Sequence, residues 1–214
     1  MKLKSLTPIT GDSARCKLVF EDGTVIKTAS SVAAELCLYP GKELDAAQWE
    51  TLQEQVAAAG AKLRAVRIVS AAAVSDRELR RRLVRKGETQ ENADAAADWL
   101  RDIGAVDDAE LAQRIVRRAA AKGYGAARAR QELAQKGIPR EYWDAALQEM
   151  PEPDEGIDRF LAQKLRSGKP DRKEQQRIIN ALRRRGHRWS DIQAALRRYE
   201  LALDETFDES MEEP

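Results

Sequence analysis

The chain has 214 residues and a formal net charge of +1 at pH 7, and 34% of its residues are charged, compared with about 25% in an average globular protein. Only 5% are aromatic, a composition that favours helices rich in alanine and leucine over a β-sandwich or a β-barrel. One histidine and two cysteines are too few for a disulfide framework or for the usual catalytic and zinc-binding sets, and no apolar run is long enough to span a membrane. The composition therefore predicts a cytoplasmic protein that is not an enzyme and has no catalytic residue, no cofactor, no metal ligand and no membrane contact.

A β-hairpin is predicted near the N-terminus. Two short segments rich in β-branched and apolar side chains lie on either side of the pair Asp22-Gly23. An Asp-Gly pair supplies the positive φ angles of a two-residue type I′ turn, which would place Phe20 opposite Val25. Since an isolated hairpin is only marginally stable in water, it must pack on the segments that follow.

Those segments are predicted to be a short helix and a longer one over residues 46–58. Asp45 and Gln48 have the spacing of a capping box at the start of the longer helix, and Gly60 is expected to end it. Residues 1–60 are therefore predicted to form a hairpin-plus-helix region that caps the rest of the chain.

A sequence repeat organises the remainder. The pattern Leu-x-x-Lys/Arg-Gly occurs at 83–87, 133–137 and 182–186, and apolar residues recur at matching offsets around each glycine. The offsets follow the helical period, so the glycine ends one amphipathic helix before the next begins. Units of this size with three short helices cannot bury their apolar faces alone, and neighbouring units should stack. The sequence predicts a mainly α-helical fold of tandem three-helix repeats in an elongated, curved array, after the small N-terminal β-hairpin and helix region.

The predicted boundaries follow from this repeat. Asp107 and Asp154 are candidate N-caps for the third helix of the first and second units. In the third unit the corresponding offsets fall in an acidic segment, so its last helix is predicted to be missing. The predicted domains are residues 1–60 (N-terminal cap region), 61–124 (first repeat with a leading helix), 125–173 (second repeat), 174–199 (truncated third repeat) and 200–214 (acidic tail).

Three runs of the sequence carry a resemblance to a known family. They are Ser75-x-x-Glu78-Leu79-x-x-x-Leu83-x-x-Lys86-Gly87, then Gly104-Ala105-Val106-Asp107-Asp108, and then Lys122-Gly123 with Glu132-Leu133-x-x-Lys136-Gly137-Ile138. Over residues 62–199 the chain resembles RecX, the bacterial regulator of the RecA recombinase. The resemblance implies a monomer whose three-helix repeats lie in the groove of the RecA filament on single-stranded DNA. There it would block filament extension and reduce ATP hydrolysis, strand exchange and co-protease activity, which implies a role in DNA repair, homologous recombination and the SOS response.

Six arginines are predicted to contact the partner. They lie on the helices that precede the three glycines: Arg81, Arg85, Arg128, Arg130, Arg177 and Arg184. Residues 164–198 contain 12 basic and 3 acidic residues, and a surface of one sign is typical of contact with a phosphate backbone or an acidic partner. A solvated charged face is the alternative interpretation. The acidic residues 200–214 are interpreted either as a solubilising tail or as a segment that folds back on the basic third repeat.

Other conspicuous residues are interpreted as structural. The four tryptophans are expected in the core, and His187 is expected in an exposed turn. Asp107 and Asp108 are expected at a helix start rather than in a carboxylate pair for metal or acid–base chemistry. Two alternative functions remain open: a stand-alone helical DNA-binding protein that uses a basic repeat face, and an enzyme with an unrecognised site. Weak direct contact with DNA is also compatible with the leading interpretation.

Overall fold

The protein is described from a computed structural model, which covers residues 1–168, 170–199 and 201. Helices dominate it and follow a small antiparallel sheet, so the predicted mainly α-helical fold with an N-terminal β region is confirmed. In this part of the chain no helix is both long enough and apolar enough to cross a bilayer. The chain divides into two compact units, Met1–Asp107 and Asp108–Pro214.

The first unit begins with a three-stranded antiparallel sheet in the order β1-β2-β3. The strands are β1 (Leu3–Ile9), β2 (Asp12–Phe20) and β3 (Val25–Ala29). β2 and β3 form the predicted hairpin, but residues 21–24 connect them, and Val25 pairs with Val19 rather than with Phe20. The predicted register is therefore wrong by one residue, because the Asp22 side chain accepts two hydrogen bonds inside this longer turn (3.0 and 2.8 Å).

One face of the sheet packs on two helices. They are α1 (Ser30–Glu35) and the first half of α2 (Ala46–Ala71). Phe20 is buried there, and its ring meets the Trp49 ring edge-on at 4.9 Å between centroids. The predicted capping box at the start of α2 is confirmed: the Gln48 N–H donates to the Asp45 carboxylate (2.8 Å), and the Gln48 amide oxygen accepts from the Asp45 N–H (3.1 Å).

The prediction that Gly60 ends α2 is wrong, since this helix runs for 26 residues to Ala71. A glycine inside a helix costs about 1 kcal/mol relative to alanine. The turns beyond Gly60, however, bury Ala61, Ala65 and Ile68 in the core of the first repeat. That burial outweighs the local cost, so one helix serves both the N-terminal region and the first repeat.

The first repeat combines the second half of α2 with two further helices. They are α3 (Asp76–Arg85) and α4 (Gln90–Asp102). The Ser75 hydroxyl accepts a hydrogen bond from the Glu78 N–H at 3.2 Å, so Ser75 caps α3. Leu79 and Leu83 of α3 are fully buried and pack with Leu100 of α4.

The second unit contains two more three-helix repeats, each with its own apolar core. The second repeat consists of α5 (Asp108–Ala121), α6 (Ala126–Lys136) and α7 (Trp143–Leu147), and the third consists of α8 (Pro153–Lys164), α9 (Arg172–Arg184) and α10 (Trp189–Arg198). The leucines of the repeated pattern, Leu133 and Leu182, are fully buried in these two cores. The predicted tandem three-helix repeats are therefore confirmed.

The repeats begin one helix earlier than the predicted boundaries place them. α5, which the sequence assigned to the first repeat, packs on α6 and α7, and α8 packs on α9 and α10. The glycine-ended helix is thus the middle helix of each repeat rather than its first. The third repeat consequently has all three helices within residues 153–198. The acidic segment 200–214 lies outside the described residues except for Leu201, which is buried in the third core.

The ends of the helices agree with the sequence at most positions. Asp107 directly precedes α5, as an N-cap must, but Asp154 does not cap α8, because Pro153 is the first residue of that helix and Glu152 precedes it. The glycines of the repeated pattern have the positive φ angles expected after a helix: Gly87 (93°), Gly137 (71°) and Gly186 (84°). Each tryptophan packs against an apolar core, as predicted: Trp49, Trp99, Trp143 and Trp189.

Candidate partner-binding surface

In the first repeat, Arg81 and Arg85 project from α3 with 70% and 66% of their side chains exposed. Both lie near Glu78: Arg81 forms an ion pair with its carboxylate, and Arg85 approaches it to 3.9 Å. Burial favours the neutral form of Glu78, but hydrogen bonds from Arg82 and Arg81 outweigh it and hold its pKa below the ordinary value. Glu78 therefore stays ionised and cancels part of the positive charge of this cluster.

In the second repeat, Arg128 and Arg130 lie in the first half of α6 in different environments. Arg128 is partly buried, 3.8 Å from the Glu132 carboxylate, and its guanidinium carbon is 5.9 Å from the centre of the Tyr124 ring. Arg130 is exposed and has no ion pair among the described residues. The residue at the position of Arg130 in the third repeat is Ile179, which is buried, so Arg130 does not belong to a face that recurs.

In the third repeat, Arg177 and Arg184 are exposed on α9. Within the described part of the chain neither of them pairs with a carboxylate. They are seven residues apart on one helix, which separates them by about 10 Å along its axis. This repeat therefore presents positive charge that no described acidic side chain compensates.

Two pairs of arginines occupy equivalent positions in different repeats. Arg128 and Arg177 each stand nine residues before the glycine that ends their helix, and Arg85 and Arg184 each stand two residues before it. A surface that uses both positions would place cations at the start and at the end of the middle helix of a repeat. Only the third repeat has an arginine at both.

The prediction that His187 lies in an exposed turn is wrong, since the residue is only 8% exposed and packs between the second and third repeats. Its Nε2 atom lies 3.1 Å from the Gly123 carbonyl oxygen, and because a carbonyl can only accept, Nε2 carries the proton. Burial lowers the pKa of His187; the Gly123 contact opposes this, Arg185 adds to it, and Asp191 opposes it. The sequence analysis did not predict this contact, although the glycines on both sides of Tyr124 and before the single histidine are positions at which two backbone segments can approach closely.

A cleft of about 630 Å³ lies beside His187 and the first turn of α8. Asp154 in that turn is held by Arg198 at 3.1 Å, and the His187 ring is held by Gly123. In residues 1–168, 170–199 and 201, no three His, Cys, Asp or Glu side chains are grouped to hold a metal ion.

Comparison with known proteins agrees with this architecture. Residues 107–147 match the family model described as RecX, second three-helix domain. The matched segment is the second repeat as its own core defines it, from α5 to α7. A crystal structure of regulatory protein RecX superposes with a TM-score of 0.73 at 23% identity, and the match covers 91% of this chain and 98% of that one. The predicted resemblance to RecX is confirmed.

Proteins named RecX resemble this chain in sequence and in fold. Those of Shigella dysenteriae and Escherichia coli are 41% and 38% identical to this chain over 96 residues. The aligned segment is 40% of this chain and 58% of each relative, and both relatives are named regulatory proteins. The crystal structure of RecX from Lactobacillus salivarius has a TM-score of 0.59 at 17% identity, covering 68% of this chain and 98% of that one.

Proposed function

We propose that this chain is a RecX-type regulator that binds the RecA filament on single-stranded DNA. It restrains filament extension, ATP hydrolysis, strand exchange and co-protease activity, and it catalyses no reaction itself. The observation that carries the proposal is the match of its repeats to a RecX crystal structure over 91% of the chain. Repeated units suit a repetitive partner, because each unit can present an equivalent surface to a successive subunit. The protein acts in the cytoplasm as a monomer, during DNA repair and recombination.

Arginines on the middle helices supply the attraction to the anionic filament in this proposal. A single exposed ion pair contributes only about 0–1 kcal/mol, so no one arginine is expected to decide binding. A tenfold change in affinity needs only about 1.4 kcal/mol. Arg81, Arg85, Arg177 and Arg184 together can therefore change binding by more than tenfold.

The double variant R177E/R184E tests the proposal most cleanly. Neither arginine has an ion pair among the described residues, so the reversal should leave folding nearly unchanged, whereas reversal of Arg81 or Arg85 would add a carboxylate beside Glu78. We expect inhibition of the DNA-stimulated ATPase of RecA to need about tenfold more of the variant. The matched control is R67E/R114E, which reverses two other exposed arginines, on α2 and α5, and should inhibit like the unmodified protein.

Equal inhibition by both double variants would show that α9 does not contact the filament. Adding R81E and R85E to R177E/R184E extends the test to the first repeat, with circular dichroism and the melting temperature as controls for folding. If the well-folded quadruple variant inhibits fully, the contact surface lies on another face. If the unmodified protein itself leaves the ATPase unchanged, the proposed function is wrong.

A stand-alone DNA-binding protein is the second candidate function, and Arg177 and Arg184, which pair with no described carboxylate, favour it. Residues 164–198 carry 12 basic and 3 acidic residues. A protein that binds naked DNA through such a face loses affinity log-linearly with salt, with a slope set by the number of phosphates contacted. Tight, salt-dependent binding to naked single-stranded DNA without any effect on RecA would favour this second function over the first.

A further inference from the structure

The second and third repeats meet backbone to backbone at two turns. The Gly125 N–H donates to the Arg185 carbonyl at 2.9 Å, and the Ala127 N–H donates to the Gly186 carbonyl at 3.2 Å. Gly125 is the N-cap of α6, and Arg185 is the C-cap of α9. Helix ends leave N–H groups free at the start and carbonyls free at the end. Here the free groups of one helix end satisfy those of the other, and the opposite ends of the two helix dipoles face each other.

Two glycines make this approach possible. A Cβ atom at Gly125 would lie 2.2 Å from the Gly186 carbonyl oxygen, and one at Gly186 would lie 2.3 Å from the Arg128 nitrogen. Gly125 has a φ of −81°, which any residue adopts, so its backbone conformation does not require glycine. It is the closeness of the other repeat that excludes a side chain at this position.

Side chains close the contact on both sides of the two turns. His187 binds the Gly123 carbonyl through Nε2, and the Arg185 guanidinium donates to the Lys122 carbonyl at 3.2 Å. The same guanidinium lies 4.5 Å from the centre of the Phe160 ring and 5.8 Å from that of Tyr124. The contact therefore combines backbone hydrogen bonds, a buried imidazole and a cation that stacks on rings of both repeats.

We propose that this contact, which we call the inter-repeat junction (Gly123, Gly125, Arg185, Gly186 and His187), fixes the angle between the second and third repeats and so positions their arginines for binding. The inference rests on the proposed function. Arg128 adjoins Gly186, while Arg177 and Arg184 lie on the helix that ends at the junction. A rigid junction holds these cations at one spacing before the partner arrives, which removes the ordering cost that two loosely linked repeats would meet on binding. The junction residues are thus positioning residues and touch no ligand themselves.

The variant G125A tests the junction, and G60A is its matched control. At Gly60 a Cβ atom would meet nothing within 4 Å and the backbone is helical, so G60A should fold with an equal or higher melting temperature. Spin labels at A134C on α6 and S190C on α10, in a C37S background, report the distance between the two repeats; Cys16 is buried. We expect one narrow distance distribution for the unmodified junction and for G60A, and a shifted or broadened one for G125A.

A pair of substitutions at His187 keeps the test decisive if G125A does not fold. Glutamine can place an amide N–H where the imidazole Nε2 donates to Gly123, whereas alanine cannot. H187A should broaden the distance distribution and H187Q should restore it, while helicity stays the same in both. A purely structural role of His187 would lower the melting temperature without changing the distance between labels.

The functional arm uses the same variants without labels in the RecA ATPase assay. G125A and H187A should inhibit about tenfold less effectively than G60A and H187Q. Fixed linkage of two weak sites increases the affinity, and a loosened junction loses part of that increase. Unchanged distances in G125A and H187A would overturn the rigid junction, whatever RecA does. Broadened distances with unchanged inhibition would overturn the positioning role while leaving the proposed function intact. If the unmodified protein does not affect RecA, the proposed function and the positioning role both fail, and the distances alone then decide whether the junction is rigid.

Discussion

Arg80 ties α3 to α4, and its removal should destabilise the first repeat. Its guanidinium donates to both carboxylate oxygens of Asp76 (2.7 and 2.9 Å), to the Asp94 carboxylate (2.9 Å) and to that of Asp98 (2.8 Å). Only 20% of the Arg80 side chain is exposed. Its loss would leave three carboxylates near one another without the cation that they share.

The size of the effect depends on how well solvent replaces each bond. Hydrogen bonds to charged groups contribute about 1.5–3 kcal/mol when protected from water, and exposed ion pairs contribute about 0–1 kcal/mol. The Asp76 side chain is 22% exposed, so its two-pronged pair with Arg80 lies between these limits, whereas Asp94 is 41% exposed and contributes less. We expect R80M to lower the free energy of unfolding by about 2 kcal/mol. R80K should recover only part of this loss, because an ammonium group cannot form the two-pronged pair that the guanidinium forms with Asp76.

Urea unfolding followed by circular dichroism measures this difference, with R101M as the control. Arg101 is 54% exposed and also pairs with Asp98, so its loss should cost well under 1 kcal/mol.

Hydrogen bonds from Gln90 and Arg80 lower the pKa of Asp94, and those from Arg80 lower that of Asp98. A lowered carboxyl pKa in the folded state stabilises above the unfolded pKa of about 4 and is lost as the pH falls through the folded value. The difference in free energy of unfolding between the unmodified protein and R80M should therefore shrink on acidification below pH 4. If R80M at pH 7 loses no more stability than R101M, the reasoning is refuted.

Three further predictions concern other parts of the chain. Because the pKa of His187 is lowered by burial, the folded state binds fewer protons than the unfolded one between that lowered value and about 6.5, so stability should fall on acidification through this window. The same titration of H187Q should be flat there, and an identical slope in both proteins would contradict the assignment. Removing residues 202–214, which leaves the buried Leu201 in place, should strengthen binding to the filament at low salt; unchanged affinity across a salt titration would exclude competition by the acidic tail. Deleting residues 1–44 exposes the apolar face of α2 around Leu52 and should lower stability more than RecA inhibition, whereas a stable but inactive product would make this region a binding element.

Local sequence signals predicted the features that depend on local physics. The capping box of Asp45 and Gln48 formed as its spacing requires, and the leucines near the end of each middle helix are buried. These residues act over three or four positions of one helix, which a single sequence displays directly. The strand β1, which pairs with the adjacent β2, was missed; Leu3 at its start also forms backbone hydrogen bonds with Gly41 and Lys42 far along the chain.

Features that depend on contacts across long distances in sequence were predicted less well. Gly60 looked like a helix end, and only the burial of Ala61 and Ala65 in a core completed by α3 and α4 reverses that expectation. The position at which each repeat begins was also ambiguous. A periodic sequence shows which residues are equivalent, but it does not show which helices share a core. Gly125 and Gly186 meet across 61 positions, and nothing local to either glycine identifies the other.

The length of RecA filaments on single-stranded DNA tests the central claim most directly. Electron microscopy of filaments assembled with and without this protein, at a ratio well below one per RecA subunit, measures whether it restrains extension. The proposed function predicts shorter filaments with the unmodified protein and with R67E/R114E, and nearly normal lengths with R177E/R184E. Filaments of unchanged length at a stoichiometric excess of the unmodified protein would contradict it.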